Sequence, residues 1–451
     1  MTGNFLGATN AGRLIVVGAG ASGLMAAGRA AEAGTDVLLL EKMDQVGKKL
    51  LVSGKKRCNL SNTKPIGEFI SMFGANGRFL HSAFHRFFRE DFLALLKRFG
   101  VDTKTERGGR IFPASEKASD VVVALRRYVL DSGVKIETGS RVVSLETKDH
   151  CIHGVGVAGG RISSGAVILA SGGATWPATG SSGDGFRMAK AAGHTIVKIR
   201  PALVPLVVME DRLAHRMQGV SLRNVRLTAF QCAADDMDIA WVPSADKGRR
   251  IPGKKPHPPV IESRMGEMMF THFGIGGPVT LLMSLAIVEA LEKGPVSVAI
   301  DLKPTLNADQ LRARLQRDFD AHGRRSCLRI VEVLVPRKMA NPIMNLAGIA
   351  SDKPAHQVTA LERECLVQVL KAMRFNVRRP LPLSSAMITA GGVSLREVDS
   401  RTMASRIIRG LYFSGEILNL DADTGGYNLQ AAFSTGYVAG ASAAEYLHSK
   451  K

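Results

Sequence analysis

Leu14-Ile15-Val16-Val17-Gly18-Ala19-Gly20-Ala21-Ser22-Gly23 is an apolar run that ends in G-x-G-x-x-G, and its reading decides the fold. A small-residue segment, Leu24 to Ala33, follows with helical character. A second apolar run, Val37-Leu38-Leu39-Leu40, then ends in Glu41. Strand, glycine turn, helix, strand and acid in this order are what a dinucleotide site requires. Gly18 permits the tight turn, Gly20 lets a pyrophosphate approach the backbone, and Gly23 lets helix and strand pack closely. The helix N-terminus offers free N–H groups and a positive dipole end to the phosphates. Glu41 lies 18 residues after Gly23, where a carboxylate accepts hydrogen bonds from a ribose 2′-OH. An acid here instead of an arginine predicts an adenosine ribose without a 2′-phosphate. The competing reading, a glycine turn of structural use only, leaves the ordered neighbours unexplained.

A chain of 451 residues is expected to hold two or three domains. Its 45% hydrophobic and 22% charged residues are ordinary globular composition. No apolar run has the length of a membrane span, and no membrane association is expected. Met1 to Arg13 lacks the regions of a signal peptide and is expected to be a mobile tail. The five cysteines, Cys58, Cys151, Cys232, Cys327 and Cys365, are odd in number and scattered. They argue against a disulfide framework and for a reducing, cytoplasmic location. The absence of C-x-x-C argues against dithiol–disulfide chemistry, and no metal-ligand spacing is visible.

The formal net charge is +20, from 60 Lys and Arg against 40 Asp and Glu. The excess is clustered. One group is Lys48, Lys49, Lys55, Lys56 and Arg57; a second is Lys247, Arg249, Arg250, Lys254 and Lys255. A third is Arg312, Arg314, Arg317, Arg324, Arg325 and Arg329. Such clusters draw polyanions, so the choice is between a nucleic-acid partner and generic basicity.

Residues 79–99 read as one helix, since Phe84, Phe87, Phe88, Phe92, Leu95 and Leu96 recur at three and four. Residues 117–130 read as another. Ile136, Val142 to Leu145, Val155 to Val157 and Ala166 to Ala170 read as strands, with Gly159-Gly160 as a turn. The texture changes near Pro201, where short apolar bursts such as Val204 to Val208 and Val296 to Ile300 suggest a β-rich insertion. The loop Lys247 to Pro259, with its prolines and cations, is expected to be exposed and irregular. Residues 307–334 and 357–373 look helical. Past Pro380 the glycine-rich α/β texture returns. The expected organisation is a discontinuous α/β nucleotide-binding domain, 14–200 with 380–447, an inserted β-rich domain, 201–303, and a small helical domain, 304–379.

Further segments point to a flat cofactor. Val167 to Gly173 is a strand ending in Ser171-Gly172-Gly173, small residues against which such a group can lie. Thr179 to Gly185 is a loop, with Asp184, leading into a helix. Gly410 to Glu416 is again a strand ending in Gly415-Glu416. Thr424-Gly425-Gly426-Tyr427-Asn428-Leu429-Gln430 opens a small-residue helix, whose N-terminus suits the N1–O2 edge of a flavin.

With these residues in view, the chain resembles the three-domain FAD-dependent oxidoreductases of the BaiN/RdsA (YhiN) type, which include proteins described as aminoacetone-oxidase-like. The resemblance rests on Gly47-Lys48-Lys49-Leu50-Leu51-Val52-Ser53-Gly54, Arg57-Cys58-Asn59-Leu60-Ser61-Asn62 and Gly109-Arg110-Ile111-Phe112-Pro113. It continues in Phe270-Thr271-His272-Phe273-Gly274 with Gly277-Pro278, Thr389-Ala390-Gly391-Gly392-Val393, and Gly425 to Gln430. Gly183-Asp184-Gly185 also resembles the wider fumarate-reductase-like flavoproteins. The resemblance implies FAD in a Rossmann-type domain, a β-barrel-like insertion and a helical domain. It implies that Gly18, Gly20, Ala21, Ser22, Gly23 and Glu41 hold the ADP half, and that Lys42 and Val143 are cofactor contacts. Lys49, Ser53, Arg57, Cys58, Asn59, Ser171, Gly172, Gly173 and Asp184 are implied as further cofactor contacts. So are Gly391, Gly392, Gly415, Glu416, Gly425, Gly426, Tyr427, Asn428 and Leu429. The chain departs from the family where Lys55-Lys56 replaces a usually glycine-rich pair, where Gly276 stands for a frequent serine, and in the basic loop 247–259.

Only one G-x-G-x-x-G stands in a strand–turn–helix unit, which leaves no resident pyridine-nucleotide domain, so NAD(P)H is expected as a transient reductant. Hydride transfer to the β-carbon of a polarised double bond also needs a proton donor. Cys58 is one candidate. Arg57, Lys55 and Lys56 beside it are expected to lower its pKa, unless it is a buried hydrophobe. His272 is the other, unless it is bonded to backbone; His194 and His322 read as packing or surface residues. Relatives imply uridine in ribosomal RNA, giving dihydrouridine, or a small steroid-like enone, with amine oxidation as a further alternative. The charge favours RNA or another anionic substrate. The remaining alternative is a non-enzymatic RNA- or ribosome-binding flavoprotein.

Overall fold

The computed structural model describes residues 12–236 and 259–450. Residues 1–11 of the expected tail and 247–258 of the basic loop lie outside the described residues. The chain divides into two compact units. One combines the residues before Pro201 with those from Leu383 onward; the other is Pro201–Pro382.

The first unit is built on a parallel sheet of five strands. In spatial order these are Leu411–Phe413, Ala166–Leu169, Arg13–Val17, Asp36–Leu40 and Lys135–Glu137. Every pairing is parallel, as crossover connections demand. Leu14 to Val17 and Ala166 to Leu169 are buried throughout, which is why they read as unbroken apolar runs. The first helix, Ala21–Glu32, packs along the last, Tyr427–His448. A Cβ on Gly436 or Gly440 would stand 2.3 Å from the carbonyl oxygen of Ser22 or Ala26. Only glycine allows two backbones that close.

The helix expected over 79–99 is broken. It runs as a 3-10 turn Gly74–Leu80, a short helix His81–Arg86 and a second helix Arg89–Arg98. Phe87 and Phe88 are extended, at φ −158° and −127°. The break lets neighbouring rings face different partners. Phe87 stacks on Tyr437 at 4.4 Å, while Phe88 meets Phe69 edge-on at 5.1 Å. Asp91 Oδ2 accepts the Phe88 amide at 2.8 Å and so starts the second helix. Tertiary aromatic packing has overridden the local period.

The second unit holds a closed six-stranded barrel. Its strands are Leu206–Val208, Gly274–Gly276, Val260–Phe270, Ser221–Phe230, Ser297–Asp301 and Met373–Pro380. The last, which the sequence reading grouped with the helices, closes the barrel by pairing with both 206–208 and 297–301. Helices Ala308–Ala321, Cys327–Leu334, Arg337–Leu346 and Ala360–Lys371 share one hydrophobic core with the barrel. Helix Pro278–Leu291 escaped the sequence reading because its apolar residues show no polar face to mark a period. Lys371, 3% exposed, bonds Asp301 at 2.6 Å and the carbonyls of Lys303 and Leu306. It ties the last of these helices to the end of a barrel strand. Among the described residues no helix is long and apolar enough to cross a membrane.

Two substitutions test these packings. Gly436→Val should destabilise the first unit by about 1–3 kcal/mol or more in denaturant titration. Lys371→Met strands a buried carboxylate and should cost about 3–5 kcal/mol. A loss near zero in either would show that the contact is dispensable.

Candidate functional site

The glycine loop has the form a diphosphate needs. Gly18 is at φ +100° and donates to Leu40 O at 2.8 Å. A Cβ on Gly23 would lie 1.8 Å from Gly18 O, so that residue is required for the helix to start there. A Cβ on Gly20 would meet nothing within 4 Å, leaving open space beside the backbone. Gly20 caps the first helix without a side-chain hydrogen bond, and the first turn carries no acid. The amides around Ala21, Ser22 and Gly23 are thus left for an external acceptor. Glu41 is buried at the end of the second strand, where Oε2 accepts the Ala19 amide at 2.7 Å and Oε1 the Met43 amide at 2.9 Å. The carboxylate pins the glycine loop and keeps lone pairs for a hydroxyl.

Lys42 and Asp184 are brought together. Lys42 Nζ donates to Asp184 at 2.8 Å and to Ser182 at 2.6 Å, and Arg141 and Arg187 also reach Asp184. Burial pushes the Asp184 carboxyl up, but the hydrogen bonds from Lys42 and Ser182 and the charges of Lys42 and Arg141 outweigh it. Asp184 is held well below the usual carboxylate range. Val143 sits at a register shift in its hairpin, with its side chain exposed.

A second cluster joins Lys49, Glu416 and Gly173. Lys49 Nζ donates to Glu416 Oε2 at 2.6 Å and to Thr175 Oγ1 at 2.7 Å. Glu416 Oε1 accepts the Thr389 amide at 2.9 Å. A Cβ on Gly173 would strike the Thr389 hydroxyl at 2.2 Å. Gly172, Gly391, Gly392 and Gly415 all have positive φ. Gly391 abuts the Lys198 carbonyl, Gly392 that of Ile417, and Gly415 the Ser22 hydroxyl. Ser171 Oγ is buried without a hydrogen-bond partner. Thr175 and Thr389 are both fully buried; Thr175 stands in no motif of the sequence, since a threonine near glycines carries no signal of its own.

The Arg57-Cys58-Asn59 stretch overturns one expectation. Cys58 is fully buried, and burial pushes its thiol up to about 12, although a hydrogen bond with Ser53 pulls the other way. This is the opposite of the lowering expected from the neighbouring cations. Arg57 is turned away, gripping Glu106 at 2.8 and 3.2 Å and lying over the Phe112 ring at 4.2 Å. Asn62 donates to Gly425 O at 3.1 Å, and a Cβ on Gly426 would fall 2.3 Å from Ser61 O. The stretch is therefore locked to the start of the last helix. Gly426 caps that helix with no side-chain hydrogen bond. Tyr427 is buried, its ring edge-on to Phe69 at 4.8 Å, and burial pushes its phenol up. Asn428 bonds back to both backbone groups of Ala422, and Leu429 is half-buried. His272 lies in the second unit, exposed, with its ring edge-on to Phe273. His194 is a packing residue, bonded to Ser405 at 2.8 Å.

The first unit therefore carries a first helix whose N-cap, Gly20, supplies no side chain, a pinned acid at the second strand and an open face at Gly20. These features fit FAD.

A family model described as HI0933-like protein Rossmann domain matches residues 12–442. The chain is 32% identical to a 3-dehydro-bile acid delta(4,6)-reductase of Clostridium scindens, over 96% of this chain and 99% of that one. It is 27% identical to a ribosomal RNA dihydrouridine synthase of Escherichia coli, over 94% and 96%. Among solved structures, a quinol-fumarate reductase with menaquinol shares the fold at a TM-score of 0.50. That likeness has 17% identity and covers 97% of this chain and 72% of the other.

Two measurements follow. Iodoacetamide at about pH 8 should label Cys151 and Cys365 but spare Cys58 in the folded protein, read by peptide mass spectrometry. Rapid labelling of Cys58 would contradict its burial. Glu41→Ala should weaken FAD retention by about tenfold or more, since a charged hydrogen-bond partner is lost. Undiminished flavin after dialysis would remove Glu41 from the site.

Proposed function

From the premise that the chain belongs to the HI0933-like family of flavin-dependent oxidoreductases, we propose that it reduces a conjugated C=C bond, with uridine in ribosomal RNA as substrate and NAD(P)H as transient reductant. When bound, FAD supplies the hydride chemistry. Its diphosphate would be held by the amides of the first helix, its adenosine ribose by Glu41, and its isoalloxazine edge by the start of the last helix.

The observation that carries the RNA reading is uncompensated positive charge. The net charge is +20. Lys55 and Lys56 in the first unit, and Arg317, Arg324 and Arg325 in the second, are exposed, and no acidic partner is recorded for them among the described residues. Phosphate attraction supplies most of the sequence-independent affinity for a polynucleotide, whereas a small enone needs no such field. A small-molecule enone is the second reading, supported by the 32% identity to the bile-acid reductase against 27% to the dihydrouridine synthase.

The proton delivered beside the reduced carbon has two candidate sources. Cys58 is fully buried and burial raises its thiol, so His272, an exposed imidazole, is the better donor. His272→Gln should lower kcat, while Cys58→Ala should keep most activity. The opposite ranking would return the role to Cys58. The substrate test is rRNA mass mapping with and without the protein. Loss of a dihydrouridine, read as two missing hydrogens on one fragment, is the expected outcome. An unchanged map together with NAD(P)H-dependent reduction of an enone would replace RNA by the small molecule.

A further inference from the structure

We propose that the left-handed turn Gly54-Lys55-Lys56 is a phosphate-binding subsite for the RNA strand that presents the target uridine, an assignment that rests on the rRNA reading above. Helix Lys48–Lys56 ends in an unusual backbone. Ser53 is extended, and then Gly54, Lys55 and Lys56 follow at φ 55°, 59° and 67°. Left-handed conformation brings Cβ against the following carbonyl oxygen, so two successive lysines there are strained. Glycine would relieve that strain at both positions. Strain of this kind persists only where the surroundings over-determine it.

The surroundings do so here. The Arg57 amide donates to Gly54 O at 3.3 Å and the Cys58 amide to Ser53 O at 3.1 Å. Arg57 is clamped by Glu106, and Cys58 is fully buried. The two lysines are therefore displayed on a rigid base rather than on a loose loop.

Their charge is also free. Other cations of this region have acids: Lys48 has Asp44, Lys49 has Glu416, Arg57 has Glu106, and Lys104 has Glu116. Lys55 and Lys56 are exposed, and neither forms an ion pair among the described residues. Their place in the chain matters as well. Gly47, just before this helix, donates to Ala19 O of the glycine loop at 2.8 Å. Ser61, just after the turn, packs on Gly426 at the start of the last helix. The turn thus lies on the strip of chain that links the two helix N-termini assigned to FAD. Two adjacent ammonium groups held rigidly there suit the phosphates flanking an unstacked nucleotide, and two lysines exceed what a single carboxylate needs.

The test is the double variant Lys55→Gly/Lys56→Gly in the full FAD-loaded protein, with Lys55→Arg/Lys56→Arg as the charge-retaining control. With rRNA lacking the dihydrouridine as substrate, the glycine variant should keep its FAD and a Tm at or above that of the unaltered protein. Its KM should rise about tenfold with kcat little changed, and log(kcat/KM) should fall less steeply with log salt, by about 1.5 in slope. The arginine control should behave like the unaltered protein. A glycine variant with raised Tm but unchanged KM and salt slope overturns the subsite while leaving the rRNA reading intact. No reduction of rRNA by the unaltered protein overturns both.

Discussion

The first unit depends on how closely the first and last helices approach. Gly436 and Gly440 let the final helix lie against the carbonyls of Ser22 and Ala26, with no room for a side chain between them. Gly415 meets the Ser22 hydroxyl at the same seam. The seam joins segments about four hundred residues apart in sequence. It also brings the glycine loop and the start of the last helix into one unit. A binding site for an extended, partly anionic cofactor follows from that junction, because neither chain end supplies both halves.

Acidic side chains in this unit hold loops and cations in place. Glu41 binds the amides of Ala19 and Met43, Asp184 gathers Lys42 and two arginines, Glu416 holds Lys49, and Glu106 holds Arg57. Burial raises the Cys58 thiol despite the cations next to it in sequence. Arg57 is engaged with Glu106, and the thiol has no water to stabilise its charged form. This pairing isolates Lys55 and Lys56, which stand out only once the other cations of the region have been matched with carboxylates.

The second unit shows the same dependence on remote partners. Its helices are inserted between barrel strands 297–301 and 373–380, so the chain must complete the helical layer before the barrel can close. Lys371 and Asp301 mark that return, a buried ion pair whose net value lies in the geometry it specifies.

The order of strand, glycine turn, helix and acid at residues 14–41 was legible because it is local: periodicity, the conformational freedom of glycine and one carboxylate at the right distance. So were the sheet strands near 136, 142–145 and 166–170, and the family resemblance through motifs read one by one. The break at Phe87-Phe88, the partners of Lys49 and the state of the Cys58 thiol were not legible. Each is set by residues far along the chain: Tyr437 for the ring stack, Glu416 for the lysine, Glu106 for the arginine. The sequence by itself determined the strand, glycine turn, helix and acid of residues 14–41 and where a dinucleotide could lie. Only the tertiary structure decided which charges stay free and which groups lose their water, because Coulomb attraction and burial act through space, not along the chain.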